Sequence, residues 1–397
     1  MTTITLQDVE QLVLDVRHEL VEWRRYFHAN PELSFQERHT SQFVYDTLAS
    51  LPNLELSRPT ATSVMARLKG TGPGLVLALR ADMDALPIHE ENTFPFASQQ
   101  DGVMHACGHD GHTAMLLATA KILSQMTAQF SGEVRFLFQH AEELFPGGAK
   151  EMVEAGVLDG VHRVLGIHLW APLQVGKIGI RTGALLAAPD RFVIRIVGAG
   201  GHAAQPHLTV DSIAVAAQVV TNLQHVVART VDPLDAMVLS ITQIHGGTAD
   251  NIIPGSVELR GTVRTFTSEL RAQAPLTMER VIRGVTEAHG ATYEFSYENG
   301  YRAVVNDEAT TERLRKILTE GFGAEVVEEG VPTMGGEDFS AYQDKVPGTF
   351  FFVGAGNEAK GIVYPHHHPR FTVDEAALPI GVKSFVLAVL GFLNECE

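Results

Sequence analysis

Leu75-Val76-Leu77-Ala78-Leu79-Arg80-Ala81-Asp82-Met83-Asp84 is an aliphatic run that ends abruptly in charge. A continuous apolar strand of this kind is typical of a sheet covered on both faces; a strand with one wet face alternates instead. Two further runs repeat the pattern. Val134-Arg135-Phe136-Leu137-Phe138 ends at Gln139-His140-Ala141-Glu142-Glu143, and Val164-Leu165-Gly166-Ile167 ends at His168. Between the runs lie an Ala- and Leu-rich helical stretch, roughly 112–126, and a Gly-led one at 147–157. Strand and helix in alternation predict an α/β fold, and in open α/β sheets ligands bind at the carboxyl ends of the strands. Asp82, Asp84, Glu142, Glu143 and His168 all fall at such ends.

Outward from this core, residues 6–28 read as an amphipathic helix, with Val9, Leu12, Val16, Leu20, Trp23 and Phe27 at three- and four-residue steps. Asn30-Pro31 breaks it, and a second helix follows at about 37–50. Near 187 the pattern changes. Residues 191–197 alternate polar and apolar as a half-exposed strand does. A helix at 210–229, strands at 236–244 and 256–266, a helix at 268–288 and a strand at 291–298 complete a β-α-β-β-α-β order, a ferredoxin-like module. The chain then returns to α/β material, with a helix at 309–322, a strand at 349–353 and a final helix from about 374 to 394. The expected domains are therefore 1–186 with 302–397, and an inserted 187–301.

The 397 residues exceed what one core usually absorbs. A net charge of −17 argues against nucleic acid or an anionic membrane as partner, since both need a basic footprint. Only Cys107 and Cys396 occur, which is no disulfide framework and fits a reducing compartment. The first residues show neither a basic n-region nor an apolar h-region, and the apolar run 385–393 is short for a bilayer span. The expectation is a cytoplasmic protein without a membrane or nucleic-acid partner.

His105-Ala106-Cys107-Gly108-His109-Asp110-Gly111-His112 packs three histidines, a cysteine and an aspartate into eight residues. Thiolate and imidazole are the side chains that transition metals bind best. Cys107 and His109 would not share a helix face, but a Gly-containing loop can aim both at one point. A His-rich solvated turn would read the same way, so the argument rests on the strand ends downstream. Of two adjacent carboxylates, Glu142 and Glu143, one can bind a metal while its neighbour accepts a proton from water. A lone histidine such as His168 is more often a hydrogen-bonded core residue than a ligand, 366–368 reads as a surface loop against its internal position and proline flanks, and Asn251 is either a strand-connecting turn residue or a hydrogen-bonder to substrate. The glycine-dense loop 198–207 offers either backbone N–H groups to an anion or a flexible turn. Together the groups exceed what one tetrahedral zinc needs, and a pair of ions would use them better.

The pattern resembles the metal-dependent amidohydrolases that include hippurate hydrolase, N-acyl-amino-acid amidohydrolases, auxin-conjugate hydrolases and related carboxypeptidases. The matching stretches are 28–34 (HANPELS), 80–88 (RADMDALPI), 105–112 (HACGHDGH), 139–143 (QHAEE), 166–170 (GIHLW), 198–207 (GAGGHAAQPH), 251–266 (NIIPGSVELRGTVRTF), 334–340 (MGGEDFS) and 366–371 (HHHPRF). The resemblance implies a di-metal exopeptidase-like α/β catalytic domain with an inserted ferredoxin-like lid that dimerises. It implies Cys107, His109, Glu143, His168 and His367 as metal ligands and Glu142 as general base. His367 is chosen from its triplet because it stands two residues before Pro369. Asp84 would support a ligand from behind, and His202 and Asn251 would contact substrate from the lid, His202 across a dimer interface. Where the wider superfamily has His-x-Asp, this chain has Asp82-Met83-Asp84, and Cys-x-His takes over. The metals would be two divalent ions: zinc, manganese, cobalt or nickel. The expected reaction is hydrolysis of an N-acyl-L-amino acid. A carboxypeptidase or dipeptide hydrolase, a non-catalytic metal- or ligand-binding protein, and a Cys107-nucleophile enzyme are the alternatives.

Overall fold

The computed structural model describes residues 4–394, and Cys396 lies outside them. The chain divides into two compact units. The first comprises Met1–Leu185, Val304–Val331 and Asp338–Glu397; the second comprises Leu186–Ala303 and Pro332–Glu337. The short segment 332–337 thus packs with the second unit, although sequence order had grouped it with the first.

The first unit is built on an eight-stranded sheet. Its centre is parallel: Glu133–Gln139, Val76–Asp82, Arg163–Gln174 and Gly348–Gly356 lie side by side in that order. Every residue of Glu133–Gln139 and Gly348–Gly356 is buried, which is why these runs carry no alternation. The short strands Leu54–Ser57 and Val64–Lys69 extend one side antiparallel. They were not anticipated, because their apolar residues alternate with charge over only a few positions.

Helices Leu6–Ala29, His109–Ser124 and Leu378–Leu393 pack on one another. The first starts at a reciprocal capping box between Thr5 and Asp8. The last, with its leading turn from Glu375, is apolar and long enough by composition to cross a membrane. It is apolar nearly all round because the core surrounds it: Val382, Phe385, Val386 and Val389 are fully enclosed. The helix expected near 112 begins at His109. Gly108 adopts φ 97°, a conformation costly for any residue with a Cβ, and turns the chain directly into the helix.

In the second unit, Ala188–Val197 pairs antiparallel with both Ser256–Thr265 and Thr292–Glu298, and Met237–His245 forms an edge. With helices Ser212–His225 and Ser268–Ala288 this is the β-α-β-β-α-β order. Phe192, Ile194 and Ile196 meet Val219, Leu223, Met278 and Ile282 in its core. Buried Asp190 gathers Arg271, the Tyr297 hydroxyl and the Gly300 N–H.

Candidate metal centre

The carboxyl ends of the central strands and the start of helix His109–Ser124 bring one cluster together. Cys107 Sγ lies 3.5 Å from His168 Nε2. His109 Nε2 lies 3.8 Å from Glu143 Oε1, and His367 Nε2 reaches the same oxygen at 3.2 Å. Cys107, His109 and Glu143 offer ligand atoms within 4.8 Å of one another, so the five residues carried over as ligands form one contiguous group within the first unit.

Their backs are fixed. His109 Nδ1 donates to the Asp84 carbonyl at 2.9 Å, and His168 Nδ1 donates to the Leu169 carbonyl at 2.8 Å. A carbonyl only accepts, so in the neutral rings both Nε2 lone pairs face the cluster. His109 Nε2 is buried without a hydrogen-bond partner, and buried Glu143 Oε1 faces both it and His367 Nε2. Lone pairs pressed against a carboxylate oxygen repel unless a proton or a cation lies between them, and N, S and O donors of this kind suit a divalent transition metal. The residues fit the group.

The electrostatics without metal show the same tension. Burial would lower the His109 pKa, but the charges of Asp82, Asp84 and Glu143 outweigh it and raise it to about 10. Burial pushes the Cys107 thiol up, and the charges of Glu143, Glu142 and Asp82 add to this. His168 is driven well down by burial and then by neighbouring His112 and His366.

Asp84 is more than a prop for His109. Its Oδ1 accepts the Glu142 N–H and its Oδ2 accepts the Glu143 N–H, each at 3.0 Å, and Ser34 donates to Oδ2 at 2.6 Å. Glu142 is 6% exposed, and the Asp338 N–H donates to its Oε1 at 3.3 Å. Three of the four non-glycine residues with positive φ among those described serve this neighbourhood: Phe35 at 64°, Ala141 at 49° and His367 at 65°. Such conformations persist only where surrounding contacts hold them; the His367 N–H, for one, is tied to the Ala106 carbonyl at 2.8 Å.

The histidine triplet separates. His367, with 51% of its side chain exposed, forms the rim at Glu143. His366 stacks on Trp170 and accepts the Ala171 N–H at Nε2, which leaves Nδ1 as the protonated atom 3.9 Å from Cys107 Sγ. His368 accepts the Arg370 N–H and stacks on Tyr364. In the 105–112 stretch, His112 bridges Asp82, at 2.6 Å, and the Leu169 N–H, at 2.8 Å. His105 is buried with neither ring nitrogen bonded.

Sequence reasoning missed the layer beneath. Arg80 is buried and donates to Asp82, Gln139 and Asp338. A single cation inside an apolar strand was the available signal. Glu37 was missed as well: its pKa is raised to about 7 by burial and then by the charge of Asp84.

His202 and Asn251 lie in the second unit, where Gly201–His202 pairs with Ile252–Ile253. The Ala204 N–H donates to His202 Nδ1 at 3.1 Å, so the neutral ring carries its proton on Nε2, and His202 is exposed. The Asn251 carbonyl accepts from Ala203. The glycines of this loop are explained by packing: a Cβ on Gly198 would meet the Val210 carbonyl oxygen at 2.2 Å.

Buried donors with bare lone pairs, beside a buried carboxylate at the carboxyl end of a parallel sheet, define a metal-dependent hydrolase. The chain belongs to peptidase family M20/M25/M40, whose sequence profile matches residues 78–391. It is similar to the N-acyl-L-amino acid amidohydrolase of Geobacillus stearothermophilus, 61% identical over 332 residues, covering 82% of this chain and 90% of that protein. It is also similar to thermostable carboxypeptidase 1 of Saccharolobus solfataricus, 42% identical, covering 98% of this chain and 99% of that one. Among solved structures, the YXEP protein of Bacillus subtilis, a dinuclear metal binding peptidase from the M20 family, matches with a TM-score of 0.83 and 38% identity, over 96% of this chain and 99% of that chain.

Proposed function

We propose that the protein hydrolyses the amide bond of N-acyl-L-amino acids, using two divalent metal ions held by Cys107, His109, Glu143, His168 and His367. The observation that carries the reading is buried His109 Nε2, without a hydrogen-bond partner and facing Glu143 Oε1, side by side with the backbone-fixed lone pair of His168. The likeness to an N-acyl-L-amino acid amidohydrolase over most of the chain supports the substrate class. When bound, such ions acidify a coordinated water and polarise the scissile carbonyl. Glu142 takes the proton of the attacking water and returns it to the leaving amine. His202, with its proton on Nε2, donates to the developing oxyanion from the lid, and Asn251 helps hold the free carboxylate. A small N-acyl amino acid is the partner, a homodimer through the lid is the assembly, and the cysteine usage fits the cytoplasm.

The test is a substrate panel on metal-loaded protein with its metal content measured. N-acyl amino acids, hippurate included, should be cleaved at least about tenfold more efficiently than dipeptides, a preference that one or two contacts in the acyl pocket can supply. Faster dipeptide cleavage would move the reading to a carboxypeptidase, and no turnover at full metal occupancy would leave a binding protein.

A further inference from the structure

Glu37 is completely buried, at the entry to helix Arg38–Ala49, and belongs to none of the groups assigned above. Its Oε1 accepts the Phe35 N–H at 2.9 Å and the Ala141 N–H at 2.8 Å, and its Oε2 accepts the Thr62 hydroxyl at 2.9 Å. The next two backbone N–H groups, those of Glu142 and Glu143, go to Asp84. Two carboxylates from distant parts of the chain thus gather three successive N–H groups of the turn that presents both glutamates. Ala141 is the residue of that turn at positive φ. Alanine leaves the left-handed region readily when nothing holds it, since its Cβ crowds the following carbonyl.

We propose that Glu37 is a positioning residue for Glu142: by fixing Ala141 in the left-handed conformation, its carboxylate aims the adjacent Glu142 side chain. The inference rests on the reading of Glu142 as proton acceptor. Asp84 still holds the two following N–H groups when Glu37 is lost, so the turn shifts rather than dissolves. A displacement of about 1 Å at a reacting group can cost on the order of 10²-fold in rate.

The experiment compares Glu37→Met, Glu37→Gln, Thr62→Val and Glu142→Ala, each with kcat, KM and bound metal measured. Glu37→Met keeps the volume and removes the acceptors; kcat should fall roughly 10- to 10²-fold, with KM and metal content unchanged. Glu37→Gln retains an oxygen for both N–H groups and can donate to Thr62, and should restore kcat to within about threefold of wild type. Thr62→Val removes a partner of Glu37 but not the Ala141 bond; it should lower Tm and leave kcat alone. Ala141→Gly takes the left-handed region unaided and should recover yield and kcat in the Glu37→Met background. The proposal is overturned by a Glu37→Met enzyme with wild-type kcat, by metal loss in that variant, by a Gln variant as poor as Met, by equal kcat loss in Thr62→Val, or by no recovery with Ala141→Gly. If Glu142→Ala itself turns over at the wild-type rate, the reading of Glu142 fails instead, and this inference goes with it.

Discussion

The strand-end cluster of the first unit and the strand pair carrying His202 and Asn251 in the second solve opposite problems. In the cluster, the chain supplies every support behind the functional atoms: carbonyls behind His109 and His168, and Asp84 behind the Glu142-Glu143 backbone. It leaves His109 Nε2 buried without a hydrogen-bond partner, a condition that favours a proton or a cation there. In the strand pair the Ala204 N–H ties the His202 ring from behind, but the His202 and Asn251 side chains stand in solvent. The first arrangement stores electrostatic cost that only a small ion relieves. The second stores none and waits for a partner group to arrive. On the proposed function, chemistry belongs to the first of these arrangements and recognition to the second.

The contrast is broken most directly at Glu142. Glu142→Ala is expected to lower kcat by about 10³-fold or more, within the span attributed to general acid–base groups. Because the five proposed ligands are untouched, metal stoichiometry by elemental analysis should stay at the wild-type value. Glu143→Ala should do the reverse and lose metal first. Should Glu142→Ala release metal and Glu143→Ala keep it, the two neighbours have exchanged roles.

Much of this was legible because strands buried on both faces are built mostly of apolar residues. Runs such as 75–79 and 134–138 announce both the sheet and, where they stop, the site. The inserted module was legible from its change to alternating strands at 191–197. What was hidden depends on partners remote in the chain. Arg80 and Asp338 are 258 residues apart, and neither sequence neighbourhood points to the other. Glu37 looked like an ordinary acid beside a helix start, although it spans 104 residues to Ala141. The roles within the 366–368 triplet turn on φ at His367 and on the Ala171 N–H, neither of which local sequence encodes.

The second-unit side of the contrast is sharpened by a pair of substitutions. His202→Ala should lower kcat by about 10²–10³, as loss of an oxyanion donor does, without changing metal content. Asn251→Ala should act mainly on KM, because a group that holds the substrate carboxylate equally in ground and transition states contributes uniform binding. A fall in bound metal in either variant would mean that the second unit also supports the cluster.

The smallest effect concerns protons. Without metal, the Cys107 thiol is pushed up by burial and by the charges of Glu143, Glu142 and Asp82, and His109 titrates near about 10 because surrounding carboxylates overcome its burial. Both atoms therefore carry protons at neutral pH, and both must lose them to coordinate a cation. Proton and metal compete for the same lone pairs, so apparent metal affinity must rise with pH. One displaced proton gives about tenfold per pH unit and two give about a hundredfold, between roughly pH 6 and 8. Chelator competition across that range measures the slope. Cys107→Ala should reduce it by about one proton, since the thiol proton is then no longer released, whereas His202→Ala should leave it unchanged because the exposed strand pair has no share in the exchange. A wild-type slope of zero would place the coordinating atoms outside the buried cluster and dissolve the distinction between the two regions.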